Sequence, residues 1–255
     1  MSSYSSSFYS SVTTRAHAAS EIVTSIVLKN FSPESIIDIG AGDGIWLSTM
    51  AKKGRARRLT AVDLPGSRFG LLKNLEFPVE LLTMNFEDHM LQNHKAYDLA
   101  ICVEVIEHIS TDRALLLLDW ISQNCRTIIF SGATTGQGGT HHINEQSQSY
   151  WLSAMMSRGL VPCDNLRPAL LNSRNVPSYY QNNVFFYVNT KFLIENEISE
   201  LLRKTILEEN AGFKDCRSRF EKLSQKIVAR IPVKFVTRLA KSKSKLNTLF
   251  LRRVK

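Results

Sequence analysis

The chain of 255 residues reads as an α/β protein built on a doubly wound, mostly parallel, seven-stranded sheet. Three observations predict this. Short apolar runs of strand length recur along the chain, as expected for strands buried on both faces. Amphipathic helical segments alternate with them, so consecutive strands are joined by crossovers. The first apolar run also passes straight into a loop with three glycines, Gly40, Gly42 and Gly44, the pattern of a strand that delivers a ligand-binding turn to a helix.

Helix 15–28 precedes the sheet, with Ile22, Val23, Ile26 and Val27 as its inward residues. Strand 36–39 follows, then the glycine loop and helix 45–51. A dinucleotide fingerprint would need glycine at position 45, where Ile45 stands, and no Gly-Lys-Ser/Thr run exists for a P-loop. The loop carries Asp38 and Asp43 with no nearby lysine, which suits a nucleoside ligand with an ammonium group and a positive sulfur better than a pyrophosphate. Strand 58–63 ends in Asp63, a carboxylate able to accept two hydroxyl donors at the C-terminal edge, where open α/β sheets bind ligands. Strand 79–83 runs into Met84-Asn85-Phe86-Glu87, and strand 97–103 into Glu104-Val105-Ile106-Glu107-His108-Ile109. Helix 112–125 has Asp112 in a capping position and Ala114, Leu115, Leu118 and Ile121 at helical spacing. Strand 127–132, helix 147–158 and strand 183–188 complete the domain.

The run from Ile36 to Gly44 resembles motif I of the class I S-adenosylmethionine-dependent methyltransferases. The resemblance implies a Rossmann-like methyltransferase fold whose last strand inserts antiparallel. It also implies a donor site made of Asp38, Gly40, Gly42, Asp43, Gly44, Asp63, Leu64, Asn85, Phe86, Cys102 and Glu104. In that set Asp63 binds both ribose hydroxyls, while Asn85 and Phe86 offer a polar group and an apolar face to the adenine. The segment after strand 97–103 is similar to that of small-molecule and glycan O-methyltransferases.

Two histidine-bearing segments are the candidates for chemistry. If a helical turn begins at Glu104, then Glu104, Glu107 and His108 share a face. With His142 they form a candidate site for a divalent ion of the magnesium type. The Glu-x-x-Glu-His string resembles the metal-binding motif of ubiquinone-pathway O-methyltransferases and of small-RNA 3′-terminal methyltransferases. A metal-free polar pocket wall is the competing reading. The second segment, Gly136-Gln137-Gly138-Gly139-Thr140-His141-His142-Ile143-Asn144-Glu145, is costly to order because of its glycines. Its Gly-Thr-x-His-hydrophobic-Asn-Glu pattern resembles a signature of methyltransferases acting on sugars and polysaccharide precursors. On that pattern His142 is the expected general base, His141 sits where glycine is common, and Glu104 or Glu107 orients the imidazole. The catalytic candidates are therefore His142, His141, Glu107 and His108.

The expected reaction is methyl transfer from S-adenosylmethionine to a hydroxyl of a small molecule, with a sugar or nucleotide sugar as the foremost acceptor. RNA ribose methylation and a donor-binding, non-catalytic partner subunit stay open as alternatives. Base N-methylation of the Asn/Asp-Pro-Pro-Tyr/Phe type is disfavoured, since the chain contains no Pro-Pro. Arg167 and Arg174 are candidates for phosphate contacts, and Tyr179 and Tyr180 for stacking on a sugar or for the edge of the core.

The net charge of +9 is unevenly spread: residues 214–255 hold fourteen Lys or Arg against Asp215 and Glu221, leaving the first 213 residues at −3. A basic tail on a mildly acidic enzyme argues only weakly for a nucleic-acid substrate. Its amphipathic segments, with Phe220, Leu223, Ile227 and Ile231 on one face, suit packing on the domain or a second subunit, or peripheral contact with an anionic membrane. Cys102, Cys125, Cys163 and Cys216 show no C-x-x-C spacing. With no apolar leader, the expectation is a cytoplasmic protein, with the inner face of a membrane as its one peripheral location. The expected organisation is an N-terminal helix and lid over 1–30, a catalytic domain over 31–192 and a basic helical extension over 193–255.

Overall fold

The computed structural model describes residues 6–67, 69–92, 95–191, 217 and 219–230. Helix α1 (Ser6–Asn30) leads into β1 (Ser35–Ile39), α2 (Ile45–Lys53), β2 (Arg58–Asp63), β3 (Val79–Thr83) and β4 (Tyr97–Val103). Next come α3 (Thr111–Asn124), β5 (Cys125–Ser131), α4 (Gln148–Met156) and β6 (Leu160–Cys163). The short helices α5 (Arg167–Leu171) and α6 (Ser178–Asn183) precede β7 (Phe185–Asn189), and α7 (Arg219–Val228) is described further on.

The seven strands stand in the order β3-β2-β1-β4-β5-β7-β6. Strands β1 to β5 are parallel, whereas β7 runs antiparallel to both β5 and β6. The expected doubly wound sheet is thus present, and the antiparallel strand lies one place inside the edge. The outermost strand, β6, occupies a stretch for which the sequence offers no strand signal, because it has four residues and includes Pro162. Proline there is tolerated because an edge strand has a side with no ladder bond to lose.

Alternation along β1 sends Ile36 to one side of the sheet and Ile37 and Ile39 to the other, and every residue of the strand is buried. Helices α1, α2, α5 and α6 cover the first face; α3 and α4 cover the second. Burying one Leu or Ile side chain contributes about 1.5–3 kcal/mol, so the two layers together supply the bulk of the driving force. On α1 the fully covered stripe is Ala16, Ala19, Val23 and Val27, with Ile22 and Ile26 only partly covered. Small residues at positions 16 and 19 let α1 approach α2, where Ser20 Oγ and Thr49 Oγ1 lie 3.2 Å apart.

Ser110, not Asp112, stands at the N-cap position of α3, and its hydroxyl donates to Glu87 instead of accepting from the helix amides. Arg167 is buried in an ion pair with Asp164, with Nε to Oδ1 at 2.7 Å, and its guanidinium lies 4.5 Å from the centre of the Phe185 ring. It therefore braces the segment before β7 and does not offer a free cation to a phosphate. Tyr180 is buried with its ring edge-on to Trp46, 5.8 Å between centres, so it belongs to the core. No helix of the described residues is long and apolar enough to cross a membrane. The apolar positions Ile231, Phe235 and beyond, Cys216, and the side chains of Tyr4, Phe8 and Tyr9 lie outside the described residues.

Candidate active site

The C-terminal ends of β1, β2, β4 and β5 converge on one edge of the sheet, and the loops leaving them hold all the chemistry. After β1 the backbone turns through Gly40, Gly42 and Gly44 with φ of 75°, 57° and 86°, left-handed values that favour glycine. The space is as restrictive as the angles. A methyl group on Gly40 would lie 2.3 Å from Val105 Cγ2, and one on Gly44 would lie 2.2 Å from Leu72 Cγ. The amides of Gly40 and Ala41 both donate to the carbonyl of Val62, at 2.7 and 3.1 Å, which ties the loop to β2.

Two acids flank this cradle. Asp63, at the end of β2, accepts hydrogen bonds from the amides of Gly42 and Leu64, the latter at 2.6 Å. Burial raises its pKa, and the two amides work against that shift. Asp38 is buried more deeply; desolvation pushes its carboxyl up to about 8, against the Leu47 amide at 3.3 Å, and the charge of Asp63 adds to the rise. Carboxyls held above their ordinary pKa by burial are relieved by a positive ligand. The cradle therefore fits a nucleoside that carries a cationic sulfur. Leu64 is 37% exposed at the rim, whereas Cys102 and Phe86 are buried within the core on the α3 face. Asn85 folds back on its own turn, its Oδ1 accepting from the Glu87 amide at 3.2 Å.

The second half of the site follows β4. Residues Ile106–His108 form a single 3₁₀ turn, and Glu104 before it has a left-handed backbone with φ 57°. Glu104 and His108 consequently do not share a helical face. The Glu104 carboxylate is committed to Ser131 Oγ at 2.8 Å and Gln137 Nε2 at 2.9 Å. Glu107 is fully buried, and neither of its oxygens has a hydrogen bond of ordinary geometry. Desolvation, reinforced by the neighbouring Glu104 carboxyl, raises its pKa strongly.

The glycine-rich loop after β5 brings His142 to this turn. The backbone amides of Ile143 and Asn144 donate to the Glu107 carbonyl at 2.8 and 3.1 Å, and the buried Asn144 side chain donates to the carbonyl of Ile106. Ligand atoms of Glu107, His108 and His142 come within 4.8 Å of one another. The two rings meet edge to face with centres 4.9 Å apart. His108 Nδ1 is 3.3 Å from the carbonyl oxygen of His141, and burial lowers the His108 pKa to about 4. His142 Nδ1 donates to Glu145 Oε1 at 2.9 Å, which leaves Nε2 as its reactive nitrogen. That nitrogen sits over Gly139, where a methyl group would be 2.2 Å from it.

A profile described as "Methyltransferase domain" matches residues 12–152, more than half of the chain. The chain belongs to this methyltransferase family. Among curated relatives, a ubiquinone biosynthesis O-methyltransferase of Cronobacter sakazakii is 28% identical over 132 residues, covering 50% of this chain and 49% of that protein. A Rickettsia akari protein of the same name is 26% identical over 197 residues, 74% of this chain and 64% of its own. The chain thus spans about half the length of the first of these relatives. Among solved structures, magnesium protoporphyrin IX methyltransferase from Synechocystis superposes with a TM-score of 0.52 at 15% identity, covering 74% of this chain and 90% of that one. An O-methyltransferase family protein from Burkholderia thailandensis gives 0.54 at 12% identity, with 72% and 58% covered. At such identities the likeness concerns the fold.

Of the residues expected from the sequence, the fold brings together Glu107, His108 and His142, and holds Glu104 beside them but outside the ligand cluster. His141 contributes its backbone. Its φ of 63° explains why this position favours glycine, and its side chain is exposed. Four further residues shape the site. Glu145, and not Glu104 or Glu107, orients His142; its oxygens also accept the amides of Gly136 and Gly138 at 2.8 and 2.7 Å. Gln137 links Glu104 to Asn183, whose Nδ2 donates to Gln137 Oε1 at 2.7 Å. Ser131 closes the network from the end of β5. The signal for Glu145 was its three-residue spacing from His142; Gln137 and Asn183 meet only through the fold.

Proposed function

We propose that the protein transfers the methyl group of S-adenosylmethionine to a hydroxyl oxygen of a small molecule, with a sugar or glycan precursor as acceptor. The observation that carries this reading is the His142–Glu145 pair held against Glu107 and His108 beside the glycine cradle. S-adenosylmethionine supplies an already activated methyl on a cationic sulfur, so the protein has to align the acceptor, exclude water and remove one proton. Asp63 is assigned to the ribose hydroxyls, Gly40, Gly42 and Gly44 to close backbone approach, and Asp38 and Asp43 to the positive charge of the donor. With Nδ1–H fixed on Glu145, His142 takes the acceptor proton at Nε2. Glu104, Gln137 and Asn183 supply polar contacts for neighbouring hydroxyls.

A second reading concerns a divalent cation. Glu107 offers buried oxygens with no hydrogen bond of ordinary geometry and two imidazoles lie within reach, a donor set that fits a magnesium- or manganese-type ion, with Glu107, His108 and His142 as its ligands. Such an ion would supply Lewis acidity to the acceptor oxygen. The names of the curated relatives favour a ring hydroxyl on a less polar acceptor, and Ile143, 58% exposed beside His142, suits an apolar portion. A labelled-methyl transfer screen over nucleotide sugars, lipid-linked glycans, small phenols and RNA, with and without chelator, tests the assignment. Transfer to a glycan hydroxyl is expected; transfer confined to phenols or RNA replaces the acceptor, and a chelator-insensitive rate removes the ion.

A further inference from the structure

The basic extension reads from sequence as an appendage, yet its helix α7 touches the catalytic loop backbone to backbone. Gly136 is buried with φ 80°, and a methyl group on it would lie 2.1 Å from the carbonyl oxygen of Gln225 and 2.7 Å from its carbonyl carbon. The helix backbone therefore rests on the Cα of Gly136. Ser224, Gln225 and Val228, at helical spacing, are partly covered, while Lys226, Ile227 and Arg230 are exposed. Gln225 also receives a hydrogen bond on its side chain from Arg217.

The same glycine is part of the apparatus that aims His142. Its amide donates to Glu145 Oε2 at 2.8 Å, while Glu145 Oε1 takes the Gly138 amide at 2.7 Å and His142 Nδ1 at 2.9 Å. Helix, glycine, carboxylate and imidazole are stacked in that order, with one hydrogen bond between each of the last three.

We propose that α7 is a positioning element for His142: seated on Gly136, it holds the loop in the form in which Glu145 fixes the imidazole. Tail and catalytic loop then work as one unit, and Gly136 is glycine both for its left-handed backbone and because the helix occupies the place of a side chain. The inference rests on the assignment of His142 to proton removal, but its principal readout does not require turnover.

The test uses the full chain with Gly136→Ala, with Gly159→Ala as a comparison. Gly159 has a similar φ of 76° but turns between α4 and β6, with only the Thr190 hydroxyl near its missing methyl. The imidazole nitrogen shifts of His142 report its tautomer, and titration with S-adenosylhomocysteine reports the donor cradle. In Gly136→Ala the Nδ1–H tautomer should be lost and donor affinity should stay within about twofold. kcat on the acceptor found by the screen should fall about 10- to 100-fold, as for loss of a supporting hydrogen bond to a functional histidine. Gly159→Ala should retain the tautomer. Gln225→Pro, which breaks the helix and leaves the loop sequence intact, should reproduce the tautomer change and decides the matter should Gly136→Ala fail to fold. An unchanged tautomer in Gln225→Pro, or the same loss in Gly159→Ala, overturns the proposal. A lost tautomer with no acceptor methylated by any variant leaves the positioning role standing and removes the methyl-transfer reading instead.

Discussion

His108 and His142 meet edge to face at 4.9 Å, and each has its Nδ1 tied to the glycine-rich loop after β5, one at the His141 carbonyl and the other at Glu145. Burial is the main reason His108 stays neutral, and the adjacent His142 adds to it. Because its folded pKa is about 4 against 6.5 in an unfolded chain, His108 leaves stability intact above pH 6.5 and removes it progressively as the pH falls toward 4. His108→Gln should flatten this acid limb. Melting temperatures of both proteins between pH 4 and 7 check it, and parallel curves would refute the coupling.

Asp38 has the opposite sign. A carboxyl raised from 3.8 to about 8 costs nothing below pH 4, and its penalty grows until the pH passes 8. Asp38→Asn is expected to melt higher than the parent at pH 9 in the absence of donor, with the difference closing toward pH 4. A constant difference across that range would show that charge is not the cause.

Asp63→Ala removes the only side chain proposed for the ribose. Hydrogen bonds to a charged group contribute about 1.5–3 kcal/mol each, so calorimetric affinity for S-adenosylhomocysteine should drop by roughly 100-fold or more. Binding at the parental level would remove Asp63 from the donor site.

Glu107 combines full burial with no hydrogen bond of ordinary geometry at either oxygen, a poor arrangement for a purely structural acid. Replacing it by Gln should raise the melting temperature at pH 8, because an amide does not titrate and so avoids the cost of the upward shift in the folded state, and should abolish manganese binding measured by calorimetry. A lower melting temperature with manganese affinity retained would refute both parts.

Glu145→Gln keeps the shape but weakens acceptance from three donors at once. Turnover should fall about 10- to 100-fold while donor affinity stays unchanged. His142→Ala should cost more, and a smaller loss in His142→Ala than in Glu145→Gln would reverse the assigned roles.

Much of the framework is legible in the sequence because β1, β2, β4 and β5 are short, mostly apolar runs, and the glycine spacing identifies the loop after β1. The edge strand β6 is not legible, since four residues with a proline carry no period. Local spacing also misleads at Glu104, where a left-handed backbone separates it from His108, and at Arg167, whose partner Asp164 buries it. The network through Gln137 and Asn183 joins residues 46 positions apart. Only the insertion of β7 beside β5 brings them together.

Val105 joins the two halves of the candidate site. Its methyl groups fill the gap above Gly40, so the segment bearing Glu104 and Glu107 rests directly on the first loop. Occupation of the nucleoside side should therefore be felt at once by the segment bearing Glu104 and Glu107, which favours a compulsory sequence of arrival: methyl donor first, acceptor second.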